Sequence, residues 1–156
     1  EVASIARSAA RVMKANPDLV VVGALLHDVG KVRAYDVGPA GFSHTPAGSL
    51  LGHVVLGALM LQERLHGVPP SDIASPQRLE LMHMILSHHG SLEFGSPVQP
   101  MTVEAELLHW ADETSAKAND MVESLAEDEH FGGGEVSDRR PWRVGRRIWR
   151  RPHSWD

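Results

Sequence analysis

Residues 19–26 form an almost wholly apolar run, and the polar pair His27-Asp28 follows it directly. Such a run must be buried on most of its sides, because the cost of exposing apolar surface to water grows with its area. The consecutive valines in it also permit a β-strand. Gly23 and the short helical segments around the run favour a helix. We therefore predict that the run is a buried helix at the centre of the fold.

Apolar residues recur at helical spacing in four further segments. We predict five helices, over residues 1–15, 19–29, 49–66, 76–89 and 102–127. Asp18 and Thr102 are the predicted N-caps of the second and fifth helices, and Gly30 is the predicted C-cap of the second. Residues 32–48 are rich in Gly and Pro, which indicates an irregular loop. The predicted fold class is all-α, a bundle of five to six helices.

Length and composition limit the class of protein further. A chain of 156 residues suits one domain, and an apolar content of 42 % suffices for a core. The absence of Cys excludes disulfides, thiolate nucleophiles and Cys-ligated metals, and it fits a cytoplasmic protein. No apolar run approaches the roughly 18 residues of a membrane span. Any metal must therefore be bound by carboxylates and by the ten histidines.

The charges are distributed unevenly along the chain. Residues 1–138 carry eight Lys/Arg against 19 Asp/Glu, whereas residues 139–156 carry seven Arg and one Asp. We predict a domain over residues 1–130 and a Gly hinge with a basic extension over residues 131–156. Mixtures of Arg and Trp bind nucleic-acid backbones and stack on bases. The alternative is that the extension packs on the acidic body or on a neighbouring subunit.

Metal-ligating side chains occur on four of the predicted helices, each of which is otherwise largely apolar. They are His27 and Asp28, His53, His88 and His89, and Asp112. A lone His-Asp pair is more often a structural hydrogen bond than a metal site. Buried charge is costly unless it is paired or bound to metal, and helical bundles build metal sites from facing helices. The four helices together therefore predict a metal site.

Imidazole and carboxylate ligands suit Mn²⁺, Fe²⁺, Mg²⁺, Ni²⁺ or Zn²⁺. A carboxylate such as Asp28 can bridge two ions about 3.5–4 Å apart, which together activate a hydroxide and neutralise a phosphate. Lys31 follows the pair and can reach a phosphate oxygen as a point charge. The alternative is a solvated lysine that complements the dipole of the helix.

The sequence Leu-Leu-His-Asp-Val-Gly-Lys at residues 25–31 resembles the signature of the HD superfamily, whose members are helical metal-dependent phosphohydrolases. The order His-Asp, His, His-His, Asp matches the branch that binds two metals. The stretches Ser-His-His-Gly at residues 87–90 and Gly-Ser-Pro at residues 95–97 narrow the resemblance to the HD domain of YhaM-type 3′–5′ exoribonucleases. The resemblance covers roughly residues 1–120, with a weaker Arg-Arg-Ile-Trp-Arg echo at residues 146–150.

The resemblance implies a role for each candidate residue. One metal would be bound by His27, Asp28 and Asp112, and the other by His53, His88 and His89, with Asp28 as the bridge. Asp28 and Lys31 would be the catalytic residues, with Lys31 holding the scissile phosphate. Further candidates for substrate contact are His44 in the predicted loop, and Arg146 and Arg147 in the basic extension.

Two features of the family are expected to fall outside this sequence. One is a further metal-binding His in a His-Thr context, which would lie upstream of Glu1 on a truncated first helix. We therefore expect one metal to lack a ligand within this chain. The other is an N-terminal OB-type nucleic-acid-binding domain. The chain is accordingly expected to be the catalytic half of a longer protein.

Three functions compete on this evidence. The leading hypothesis is a 3′–5′ exoribonuclease that acts on single-stranded RNA, with DNA as a further candidate, by a metal-activated hydroxide. The alternative is a phosphohydrolase of nucleotides or cyclic nucleotides. The third is a metal-bound scaffold without turnover. A cytoplasmic location is expected, no membrane partner is expected, and homo-oligomer formation is left open.

Overall fold

The computed structural model describes residues 1–39 and 41–155, and within these it is mostly helical. The elements are α1 Val2–Met13, α2 Pro17–Leu26, α3 Lys31–Ala34, β1 Tyr35–Gly38, β2 Gly41–His44, α4 Pro46–Leu65, α5 Ser75–Ser87 and α6 Val103–Ala126. Two short 3₁₀ turns lie at Leu92–Phe94, between α5 and α6, and at Asp128–His130, after α6. The all-α prediction is confirmed, apart from one two-stranded sheet.

The cap predicted for α2 is wrong by two residues. Asn16, not Asp18, is the N-cap, and its side chain accepts hydrogen bonds from the backbone N–H groups of Asp18 and Leu19, each at 3.1 Å. Pro17 then occupies the first helical position, where its missing N–H costs nothing. Asp18 lies in the first turn, where its negative charge favours the positive end of the helix dipole.

Gly30 is not a left-handed C-cap, so that prediction is also wrong. Its φ of −64° and ψ of −20° are right-handed and suit any residue. The reason for glycine is space: a Cβ on Gly30 would lie 1.9 Å from the carbonyl oxygen of His53 and 2.4 Å from the backbone nitrogen of Gly57. The turn after α2 thus packs directly against the backbone of α4.

Residues 32–48 are not an irregular loop, which corrects a further prediction. They contain α3, the start of α4 and an antiparallel hairpin that pairs Tyr35 with His44 and Val37 with Phe42. The period-two pattern of these four side chains is typical of a hairpin. It was missed because each strand has only four residues and the Gly and Pro around the turn indicated a loop.

Helix α4 starts at Pro46, three residues before the predicted position, and it is kinked at Gly52. Gly52 has φ 72° and ψ 158°, a conformation that only glycine adopts without strain. The kink lies immediately before His53. Thr45 is the N-cap, and its hydroxyl accepts from the N–H of Gly48 and donates to the carbonyl of Arg33, both at 2.8 Å.

Replacing Thr45 with alanine should destabilise the protein by about 1–2 kcal/mol, because it removes this helix cap together with a tie to α3. In a chain of this size that corresponds to a melting temperature about 2–8 °C lower. Urea denaturation checks the prediction. Thr45→Ser keeps the hydroxyl and is the matched control. Equal losses in both variants would show that the hydroxyl is not the stabilising group.

By internal packing the chain divides into two compact units, Glu1–Asp112 and Glu113–Asp156. Two apolar clusters fill the first unit. One is formed by α1, α2, α5 and the start of α6, through Ala6, Ala10, Val20, Ala24, Met84, Ala105, Leu108 and Ala111. The other joins α4 to α5 through Ala58, Leu61, Leu81 and Ile85. Helix α2 is less enclosed than predicted, since Val22 and Leu25 are exposed.

The second unit contains the basic extension. Ile148 is buried, and Trp149 pairs with Val136 in an isolated β-bridge. Acidic residues of the same unit pair with the extension: Arg143 reaches Glu127 at 2.8 Å, and Arg150 reaches Asp128 at 2.7 Å. The functional boundary at residue 130 stays a prediction. None of the helices in the described residues is long and apolar enough to cross a membrane.

Candidate metal centre

The side chain of Asp28 lies at the centre of the predicted residues. His27 Nε2 is 3.3 Å from its Oδ2, and the Nε2 atoms of His53 and His88 are 3.3 Å and 3.9 Å from its Oδ1. Lys31 Nζ lies 2.6 Å from Oδ2. Three imidazoles from α4 and from the ends of α2 and α5 therefore point the same ring nitrogen at one carboxylate.

Asp112 and His89 extend the cluster on either side of this carboxylate. Asp112 Oδ1 is 3.6 Å from His27 Nε2, and His89 Nε2 is 3.3 Å from His53 Nε2. His27 and His88 are buried, whereas Asp28, His53, His89 and Asp112 are half-buried. All six predicted ligands are thus brought together within the first unit.

The backbone orients three of these imidazoles. His27 and His88 each occupy the C-cap of a helix, and each Nδ1 bonds the carbonyl three residues earlier, at Ala24 (2.8 Å) and Ile85 (2.7 Å). Carbonyls near the end of a helix lack partners within it, so they are free to accept. His89 Nδ1 bonds the carbonyl of Phe94 at 2.6 Å. Since a carbonyl only accepts, each Nδ1 carries the hydrogen, which fixes Nε2 as the atom that faces the cluster.

The electrostatics of the cluster favour a cation between the carboxylates. Burial raises the pKa of Asp28, but His27 and Lys31 outweigh it and hold that pKa well below its usual range. His27 lowers the pKa of Asp112. Burial lowers the pKa of His27, yet hydrogen bonding to Asp112 and Asp28 raises it to about 10. The two carboxylates therefore favour positive charge at the position of His27 Nε2.

Two histidines on the opposite side of Asp28 have lowered pKa values. Burial is the main cause that lowers the pKa of His88 to about 4, and burial also lowers the pKa of His53. With hydrogen on Nδ1, the Nε2 atom of His88 carries a free lone pair at neutral pH. Such lone pairs are the atoms that bind divalent metals.

The arrangement passes a test of fit for a metal. Asp28 Oδ1 and His88 Nε2 are buried, and neither has a hydrogen-bond partner among the described residues. Buried acceptors without donors are costly, and a cation would satisfy both. Nitrogens of His53, His88 and His89 also lie within 4.8 Å of one another, a spacing that can hold one ion. The residues present fit divalent metal binding.

A comparison with models of protein families found a match. The model of the HD domain family matches residues 1–117. The chain belongs to the HD domain family.

Relatives of this HD domain include curated bacterial proteins. The 3′-5′ exoribonuclease YhaM of Bacillus subtilis (strain 168) is 43 % identical over 122 residues, which cover 78 % of this chain and 37 % of that protein. The protein of the same name from Geobacillus sp. (strain WCH70) is 40 % identical over 124 residues, covering 80 % and 36 %. The chain thus spans just over a third of the length of these relatives. A search of solved structures found no significant match.

The other predicted site residues lie in different surroundings. Lys31, at the start of α3, is exposed and paired with Asp28. His44 lies exposed on β2, with its ring 4.6 Å from that of Tyr35. Arg146 and Arg147 belong to the second unit, where Arg147 donates to the carbonyl of Ser137.

Two groups support the HD domain's cluster from outside the six ligands. His109 shares a helix with Asp112, and its sequence context predicts a supporting or core role; its Nδ1 bonds the carbonyl of His88 at 2.8 Å. Ser96 accepts a hydrogen bond from the N–H of His89 at 3.0 Å. The role of Ser96 was missed, although the residue lies within the Gly-Ser-Pro stretch that carried the resemblance.

A second group of metal-capable side chains lies in the other unit. Glu127, Glu129 and His130 are close enough together to hold an ion. Both oxygens of Glu127 already have partners, in Arg143 at 2.8 Å and His130 at 2.7 Å. No side-chain atom of these three residues is both buried and without a partner, in contrast to Asp28 Oδ1 and His88 Nε2.

Proposed function

We propose that this chain is the hydrolytic domain of a 3′–5′ exoribonuclease that acts on single-stranded RNA. The observation that carries the proposal is the convergence of three imidazole Nε2 atoms and the ammonium of Lys31 on the carboxylate of Asp28. The names of the YhaM relatives support the polymer substrate and the direction of digestion. DNA is a further candidate substrate.

The proposed ligands form two sets that share Asp28. His27, Asp28 and Asp112 would hold one divalent ion, and His53, His88 and His89 would hold the other. Divalent ions bound there would lower the pKa of a water and neutralise charge on a phosphate. The donors suit Mn²⁺, Fe²⁺, Mg²⁺, Ni²⁺ or Zn²⁺. The short Nδ1–carbonyl bonds would keep the rings in place, since such outer contacts fix ligand orientation.

Lys31 would position the substrate. Its ammonium is exposed, so it can contact a phosphate oxygen while remaining beside Asp28. Hydrolysis adds water across the last P–O3′ bond of the strand. The shortened strand keeps a 3′-hydroxyl, and the terminal residue is released as a nucleoside 5′-monophosphate.

The direct test is the digestion of a 5′-labelled single-stranded RNA in Mn²⁺. Wild type should produce a ladder that shortens stepwise from the 3′ end, and His88→Ala should not. A 3′-labelled strand should release its label as a mononucleotide from the first time point. Hydrolysis of nucleotides or cyclic dinucleotides with RNA left intact would instead favour the alternative function.

Removal of the metal should lower the melting temperature, because an ion bound by side chains of α4, α6 and the ends of α2 and α5 stabilises only the folded state. A ligand at about 100 times its dissociation constant contributes roughly 2.7 kcal/mol. For this chain length that is about 5–10 °C. Calorimetry in Mn²⁺ and in EDTA measures the shift. His53→Ala should reduce the shift, because it removes a ligand of one of the two ions, whereas His66→Ala, at an exposed histidine at the end of α4, should keep it in full.

The same melting temperature for wild type in Mn²⁺ and in EDTA would contradict metal binding at this cluster. The N-terminal OB-type domain, homo-oligomer formation and the cytoplasmic location remain predictions for the full protein.

A further inference from the structure

The hairpin of β1 and β2 exposes an apolar face to solvent. Val37 and Phe42 are each 78 % exposed, and the adjacent Val32 on α3 is 77 % exposed. A two-stranded hairpin is only marginally stable by itself, and burying its apolar face would stabilise it. The exposure of this face therefore indicates a role other than stability. Contiguous exposed apolar side chains of this kind mark binding surfaces.

The strand register places the aromatic side chains on one face. Tyr35 lies opposite His44 and Val37 opposite Phe42, so these four side chains share a side of the hairpin. Asp36 and Ser43 pair on the other side, which is polar. We call the first side the hairpin platform and define it by Tyr35, Val37, Phe42 and His44.

A cavity of about 650 Å³ lies over the platform. Its lining is Lys31, Val32, Tyr35, Val37 and Phe42. The volume is in the range of small-molecule sites and accommodates a nucleotide. Lys31 connects this cavity to the metal centre, because its ammonium is 2.6 Å from Asp28 Oδ2.

The lining is complementary to one class of ligand. A cation beside exposed aromatic and aliphatic side chains matches a nucleotide, which joins an anionic phosphate to a flat base. Bases stack on aromatic side chains whatever their identity, because every base has a π-face. A base that is paired and stacked in a duplex cannot enter such a slot, which selects for single strands.

We propose that the hairpin platform stacks a nucleobase at the 3′ end of the substrate, next to the phosphate held at Lys31, without selecting the base. This inference rests on the proposed function and adds the subsite that positions the strand. Phe42 and Tyr35 would position the base, and Lys31 lies at the end of the cavity where the phosphate would bind.

The test asks whether the aromatic ring of Phe42 contributes to binding of the 3′-terminal bases. A 5′-fluorescein oligouridylate with hydrolysis-resistant phosphorothioate linkages is titrated with protein in Mn²⁺, beside a strand that lacks only its two 3′-terminal bases. Wild type should bind the complete strand about tenfold more tightly, as expected for stacking of one base. Phe42→Ala should lose most of this preference, and Phe42→Trp should retain it.

Ser43→Ala, on the opposite side of the same hairpin, is the matched control and should keep the preference in full. Circular dichroism and melting temperature should not change in the Phe42 variants, because that side chain is exposed. Equal affinity of wild type for the two strands would overturn the proposal. So would a Phe42→Ala variant that turns an oligomer into monomers and keeps the preference for the complete strand, since the face would then join copies of the chain.

RNA hydrolysis by wild type, measured in the same preparation, tests the proposed function separately. RNA hydrolysis together with equal affinity for the two strands would contradict the role of the platform and support the nuclease. Tighter binding of the complete strand without RNA hydrolysis would support the platform and contradict the nuclease.

Discussion

Asp28→Asn is expected to reduce the rate of RNA hydrolysis by on the order of a thousandfold or more. The substitution keeps the shape of the side chain and removes its charge, while His27, His53, His88 and Lys31 all lie within 4 Å of it. Metal ions contribute several kcal/mol to charge stabilisation in such reactions. Each 1.36 kcal/mol is about tenfold in rate, so loss of the shared ligand removes several powers of ten.

The measurement is the single-turnover rate of RNA shortening, together with the metal content of the purified protein. Asp28→Asn should bind fewer ions than wild type as well as turn over more slowly. Asp36→Asn makes the same chemical change at an exposed carboxylate on the polar side of the hairpin, and it should keep both values. A rate for Asp28→Asn within tenfold of wild type would refute the central role of this carboxylate.

Local sequence patterns were sufficient to predict the five longer helices, though not α3, and to choose the six candidate ligands. Helical periodicity depends on which side of a segment is buried, so it is visible without knowledge of the partner. The ligands were recognisable because His27, Asp28 and His53 lie in or next to apolar segments, where burying a polar side chain is costly unless it has a partner. Their spacing in three dimensions required the structure.

Other features depend on distant parts of the chain and could not be predicted. The need for glycine at position 30 is imposed by the carbonyl of His53, on another helix. The local sequence after α2 indicated a helix cap instead. The hydrogen that orients His89 is accepted by the carbonyl of Phe94, which depends on the path of the loop after α5.

The basic extension shows the same limit in charge patterns. An Arg/Trp-rich sequence is compatible with binding nucleic acid and with internal packing. The structure pairs Arg143 with Glu127 and Arg150 with Asp128, which supports internal packing for those two arginines. Contact of Arg146 and Arg147 with substrate stays a prediction.

Gly30→Ala should destabilise the protein by about 3 kcal/mol or more, at the upper end of overpacking effects. The φ and ψ of Gly30 suit alanine, so backbone entropy alone would favour the substitution by about 0.4–1 kcal/mol. The clash reverses that sign. A methyl group 1.9 Å from the carbonyl oxygen of His53 cannot be relieved by a side-chain rotation, since the obstructing atoms are backbone. The turn after α2 and the backbone of α4, which carries His53, must therefore move apart.

Urea denaturation followed by circular dichroism measures the loss of stability in Gly30→Ala. A smaller Mn²⁺-induced rise in melting temperature would report that His53 has been displaced. Gly67→Ala is the matched control, because no described atom outside residues 66–68 lies within 4 Å of the Cβ it would add. Its stability should remain within about 0.5 kcal/mol of wild type. If Gly30→Ala were equally stable, the turn after α2 could not lie against α4 as the structure has it. His53 would then not be held beside Asp28 by that contact.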